Sequence, residues 1–197
     1  MKKLLSALFI IALCLSFVAC SPAAETAKIE MDTIEITDYE NPIIQFSLPK
    51  DGPYIVSEFS YNKGLEVRNE DFCISFKLAS QQKYVDGSAV PCSYQEMIDY
   101  RKDATSGYTF YEVSYSGMNG YAQDSESGSM FLYFPIADSL QNSNGSLDVF
   151  EVYLSHKGDE MKMAADFEES RKALDEFVAT EEVQMILNSI KLLPGQS

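Results

Sequence analysis

The chain has 197 residues, enough for one domain with its own hydrophobic core and too few for a two-lobed solute-binding architecture. Its 30 acidic side chains outnumber 15 basic ones, for a formal net charge of −15, which repels phosphate backbones and argues against nucleic-acid partners. A single histidine (His156), widely spaced cysteines and the lack of a glycine-rich phosphate loop leave no metal or cofactor signature.

Residues 1–20 read MKKLLSALFIIALCLSFVAC. Lys2 and Lys3 precede an apolar run from Leu4 to Ala19 broken by Ser6, Cys14 and Ser16, the pattern of a secretory signal. The run is shorter than the ~20 residues a helix needs to span a bilayer, so an uncleaved transmembrane helix is the weaker reading. Phe17-Val18-Ala19-Cys20 resembles the lipobox of bacterial lipoprotein signal peptides, with Phe17 where that family usually carries Leu. The resemblance implies a diacylglyceryl group on the Cys20 sulfur and cleavage just before it. It further implies palmitate-type anchoring at the extracytoplasmic face of the cell membrane, where two acyl chains hold stably. The alternative is an ordinary secretory peptide cut near Ala19, which leaves a free protein. Either cut removes Lys2 and Lys3 and makes the remainder more acidic.

If Cys20 is lipidated, Cys73 and Cys92 remain as one pair in an exported chain. They are either a disulfide, closing a loop of about twenty residues and contributing roughly 3 kcal/mol, or two buried thiols. Sequence leaves both open, because geometry decides.

Residues 21–41 read as a small-residue, acidic tether, with Ile34 and Ile36 alternating so that a short strand can begin there. Residues 42–197 read as a single globular domain. Strands are expected at Ile43–Leu48, Tyr54–Tyr61, Leu65–Arg68 and Phe72–Leu78, the last with Phe72, Ile74, Phe76 and Leu78 on one face and Cys73, Ser75 and Lys77 on the other. ASQQKYVDGSAVPC then reads as a polar surface connection, whose end a Cys73–Cys92 bridge would pin to the preceding strand.

Ser93 and Glu96 form a capping box for a short helix with Tyr94, Met97, Ile98 and Arg101 on one face. The aromatic strand Tyr108–Tyr115 is apolar on both faces and expected to be covered on both. Gly117–Gly120 reads as a hairpin turn into Tyr121–Gln123, and strands follow at Met130–Ile136 and Leu147–Leu154, with a turn at Ser143–Ser146 between them. Helical spacing takes over from Lys162 to Val178, through Met163, Phe167, Leu174 and Phe177. Thr180 caps a second helix with Val183, Ile186, Leu187 and Ile190 as its apolar stripe, and Ile190–Leu193 ends as a short strand.

Antiparallel-type strands with helices gathered in the middle and at the end imply α+β, an antiparallel sheet layered with helices. VQMILNSIKLL, with strands such as MFLYFPI before it, resembles the tail of PsbP/Mog1-like domains. That resemblance implies an α/β/α sandwich and transmits no function.

No catalytic constellation stands out: His156 has no visible partner, and G-x-S-x-G and H-E-x-x-H are absent. Asp124 and Glu126 lack EF-hand spacing and read as a solvated loop. Tyr108, Tyr111, Tyr115 and Tyr121 would form an aromatic binding face if they share a surface, with sheet packing as the plainer alternative. The expectation is a non-enzymatic, membrane-anchored module that binds an envelope ligand or protein. Two alternatives stand beside it: an envelope hydrolase using two close carboxylates, and a structural or assembly lipoprotein with a large exposed apolar patch.

Overall fold

The computed structural model describes residues 30–38, 41–59, 64–105, 108–125, 129–136, 148–156 and 167–193. Cys20 and the leader, Glu126, the Ser143–Ser146 turn and Met163 lie outside these residues, as does the His156 side chain.

Alternating apolar and polar residues build three antiparallel sheets. The largest contains β3 (Ile55–Glu58), β4 (Gly64–Arg68), β5 (Phe72–Ser80), β8 (Thr109–Tyr115), β9 (Met118–Ser125), β10 (Ser129–Pro135) and β11 (Asp148–His156). Its order, β3-β4-β5-β11-β10-β9-β8, is two meanders joined where β5 meets β11. β1 (Met31–Asp38), β2 (Asn41–Pro49) and β12 (Lys191–Leu192) form a second sheet, with β2 central. β6 (Gln82–Val85) and β7 (Ser88–Pro91) stand as a separate hairpin. Three helices complete the described residues: α1 (Tyr94–Ala104), α2 (Phe167–Val178) and α3 (Glu181–Ser189). The fold is α+β.

One face of the large sheet carries Ile74, Phe76, Phe134, Phe150, Val152 and Leu154, all fully buried in the main core. Over it lie Leu174 and Phe177 of α2, Val183, Ile186 and Leu187 of α3, and Ile44, Phe46 and Leu48 of β2. Phe46 stacks on Phe76 with ring centroids 4.1 Å apart, and Phe150 and Phe134 extend the aromatic row at 6.4 and 6.0 Å. Each such burial contributes about 1.5–3 kcal/mol. Ser189 ties α3 to β2: its hydroxyl accepts the Ser47 backbone N–H at 2.8 Å.

The opposite face is covered by α1, whose Met97 and Ile98 pack on Tyr133 and Val149 in a second core. Ser93 caps α1 as expected, with Glu96 completing the capping box. Thr180 caps α3, its hydroxyl accepting the Val183 N–H at 3.4 Å.

Four expectations change. Residues 21–41 read as a tether, yet Met31–Asp38 is a strand, and the compact unit starts at Met31. Alternation at Ile34 and Ile36 continues into pairing with β2, where Ile34 meets Phe46 and Ile36 meets Ile44. The polar connection after β5 is the β6–β7 hairpin, turned by Asp86 and Gly87 at φ 50° and 80°, the left-handed pair that a two-residue turn requires. The turn between β8 and β9 is likewise Ser116-Gly117, so Met118 already belongs to β9. Finally, β8 is the sheet's edge, and Thr109, Tyr111, Glu112 and Ser114 stay exposed instead of covered on both faces.

Candidate functional site

A transverse row of residues crosses the face of the sheet beneath α1. Register places Gly64 opposite Lys77, Lys77 opposite Glu151, Glu151 opposite Tyr133, and Tyr133 opposite Tyr121. Gly64 is required for the first approach, since a Cβ there would meet the Phe76 carbonyl and lie 2.6 Å from the Lys77 Cβ.

Lys77 Nζ lies 2.7 Å from Glu151 Oε1. The Glu151 side chain is only 5 % exposed, whereas the Lys77 side chain reaches the surface at 31 %. Oε1 receives no well-aligned hydrogen bond, so the nearby ammonium offsets the desolvation of its charge.

Next along the row, Tyr133 is 1 % exposed and fully engaged. Its hydroxyl accepts Arg101 Nη1 at 3.0 Å and donates to Gln123 Oε1 at 3.0 Å. Burial pushes its pKa above the ordinary tyrosine value although Arg101 opposes this, so the phenol stays neutral. The Arg101 guanidinium carbon sits 4.6 Å from the ring centroid of the same tyrosine. Tyr94 completes the seat of α1 by donating to the Tyr133 carbonyl at 2.6 Å.

α1 and the β6–β7 hairpin wall off a cleft of about 520 Å³ over this row, lined by Lys77, Tyr84, Tyr100, Arg101, Thr105 and Glu151 among others. Its size is that of small-molecule sites, ~300–1,000 Å³. Tyr84 and Tyr100 meet at its rim with centroids 6.5 Å apart. Lys83 Nζ on the hairpin pairs with Glu96 Oε1 on α1 at 2.9 Å. Glu96 also accepts the Ser93 backbone N–H, which with Lys83 lowers its pKa to about 2.

A second cavity, of about 570 Å³, lies against β8 and β9 by Tyr94, Glu112, Asn119 and Tyr121. Glu112 is the one charged residue lining it among the described residues. The α1 cleft is the stronger candidate because oppositely charged groups converge there and are held by neighbours.

The four tyrosines do not form one face. Tyr111 and Tyr115 share a face, while Tyr121, opposite Glu112 in register, points the other way. Tyr115 meets Phe134 edge-on at 6.4 Å in the main core. Tyr121 lies 6.4 Å from Tyr94, with Lys102 Nζ 4.4 Å from its ring centroid. Tyr108 and Tyr111 are exposed at 40 % and 37 %, and the Tyr111 hydroxyl reaches Met130 Sδ at 3.8 Å.

Nor are Cys73 and Cys92 joined. Cys92 is held beside Gln81, donating its N–H to the Gln81 carbonyl at 3.3 Å and accepting the Gln81 side-chain amide at 2.7 Å. Gln81 stands eight residues beyond Cys73 at the end of extended β5, roughly 26 Å at the rise of a strand. A disulfide needs a Cα separation of about 4.4–6.8 Å. Burial, then Glu96, raises the Cys92 thiol pKa, the reverse of what an activated nucleophile needs.

Asp124 lies buried in β9 instead of in a solvated loop, and His156 closes β11 opposite Phe72. Among the described residues no cluster of His, Cys, Asp or Glu could hold a metal ion, and no helix is long and apolar enough to cross a membrane. Sequence put Lys77 on the correct face and Arg101 on the stripe of α1. It missed Glu151, Tyr133 and Gln123, which meet only through strand register: β5 with β11 for Glu151, and neighbouring β9 with β10 for Tyr133 and Gln123. Comparisons with protein-family models, with curated proteins and with solved structures found no match.

Proposed function

We propose that the protein is a lipid-anchored extracytoplasmic lipoprotein of a bacterial cell envelope, acting as a non-enzymatic module that binds a small ligand in the cleft under α1. The leader ending in Cys20 supports the compartment and the anchor. Binding rests on one observation: a preformed cleft in which Lys77, Glu151 and Arg101 are held in place by their neighbours. Such preorganisation lowers the ordering cost of capturing a ligand. Hydrolysis by a carboxylate pair has less support, since it calls for two carboxyl groups in one cleft, about 5–9.5 Å apart in the case of a glycosidase. Glu151 is the sole carboxylate lining this cleft among the described residues, and Lys77 neutralises it.

Fractionation of a bacterial host making the wild-type chain or Cys20→Ser tests the anchor. Wild type should sediment with membranes and incorporate labelled palmitate, and the variant should do neither. Equal membrane retention of the two would overturn the lipid anchor. A thermal-shift screen of small metabolites tests the binding role, because a ligand of the native state stabilises it by mass action.

A further inference from the structure

The large sheet ends differently at its two sides. β3 is an edge of four residues, whereas β8 offers seven. All seven pair with β9 in one unbroken register, so the strand has no bulge, and it contains no proline. Its outer side meets no strand among the described residues, which leaves a row of backbone donors and acceptors open there. Protein edges are commonly blunted by shortness, bulges, proline or lysine, and β8 has none of these. What it carries instead is a single charge, Glu112, at its middle.

That position selects the partner. A second copy added antiparallel along the whole strand would pair each residue with its mirror about Glu112, setting Glu112 against Glu112. Like charges directly opposite one another oppose pairing, and each copy also carries a formal charge of −15. A cation at the same place is attracted. Glu112 is exposed and, among the described residues, takes part in no ion pair. It lines the cavity of about 570 Å³ together with Ser114, Asn119, Tyr94 and Tyr121. A strand laid beside β8 sends every second side chain to the face that carries this cavity. The one directly opposite Glu112 has its Cβ within about 5.5 Å of the Glu112 Cβ. We infer that β8 is a docking edge for a second polypeptide, which extends the sheet as an added strand with a lysine or arginine opposite Glu112. Backbone hydrogen bonds supply the affinity, and the charge sets the register. This docking is independent of the cleft under α1, which lies over Lys77 of β5 and Glu151 of β11.

The test is a ¹H–¹⁵N titration of the full-length chain in detergent with the capped peptide Ac-Thr-Val-Thr-Lys-Thr-Val-Thr-NH2. It should bind with a Kd of about 5 mM or below and shift the amides of Thr109–Tyr115. The same peptide with glutamate in place of lysine should bind at least about fivefold more weakly. Glu112→Lys, a change at an exposed position, should reverse that preference. Blocking alternate peptide amides separates strand addition from simple ion pairing, because a strand joins a sheet edge through every second residue. N-methylation of the valines and the lysine, or of the two inner threonines, should abolish binding in one peptide and spare it in the other. Equal binding of the lysine and glutamate peptides, an unchanged preference in Glu112→Lys, the same effect from both N-methylated peptides, or a Kd above about 5 mM would each overturn the inference. So would a dimer joined through β8, or protection of every β8 amide from hydrogen exchange in the free monomer, since the edge would then already be occupied.

Discussion

Replacing Lys77 with methionine keeps a long apolar stem and removes the cation from the most buried charge of the cleft. Glu151, with 5 % of its side chain exposed, would be left without its partner at 2.7 Å. Breaking a buried pair from one side costs about 3–5 kcal/mol. The Lys77 end is 31 % exposed, so water can reach the gap, and the expected cost falls to about 2–3 kcal/mol. Removing both charges, as Lys77→Met with Glu151→Leu, should cost only about 0–1 kcal/mol, because no orphaned charge remains. In urea unfolding, with a slope of about 2 kcal/mol/M, the single variant should lose about 1–1.5 M in midpoint and the double variant should recover most of it. A single variant within about 0.5 kcal/mol of wild type, or a double variant costing the sum of the singles, would refute the reasoning.

Acid should loosen the seam between α1 and the β6–β7 hairpin. Glu96 has a folded pKa of about 2 against an ordinary 4.5, so its contribution is complete above about pH 5 and disappears as pH falls through 4.5 toward 2. The difference in melting temperature between wild type and Glu96→Gln should therefore shrink across that window, and a constant difference would contradict it. Gly64→Ala should destabilise by about 1–3 kcal/mol, because the added carbon meets the Phe76 carbonyl and the Lys77 Cβ; denaturant unfolding reads this directly. Phe76→Ala, emptying the space between Phe46 and Phe150, should cost about 3–5 kcal/mol by the same assay, and a loss below about 1 kcal/mol would mean that the site collapses.

Local chemistry was the legible part of this chain. Ser93 with Glu96, and Thr180 before its two glutamates, mark helix starts because a cap is satisfied within a few residues. Phe72 to Leu78 shows its buried face because side chains of a strand alternate whatever their partner. Asp86-Gly87 was also legible as a hairpin turn, yet the polar residues around it resemble a loop. The exposed Tyr84, Val85 and Val90 show why: this hairpin is not sorted into buried and solvated faces.

What stayed hidden depends on register between strands. Pairing of β5 with β11 brings Lys77 onto Glu151 across more than seventy residues of chain, and no periodicity within either strand announces it. The tyrosines failed on register as well, here between the two adjacent strands of one hairpin. Counting along β8 and β9 separately cannot tell that Tyr121 meets Glu112 and so leaves the side on which Tyr111 lies. The cysteine pair had a suitable spacing in sequence, but an extended strand turns that spacing into distance.

The most direct measurement is residue-level mapping, by ¹H–¹⁵N spectra, of whichever compound raises the melting temperature most. Perturbations centred on Lys77, Tyr84, Arg101 and Glu151, abolished by Arg101→Gln, are the expected result. Perturbations confined to the β8–β9 cavity or to the β3 edge, with α1 and Glu151 unmoved, would contradict the assignment of the cleft.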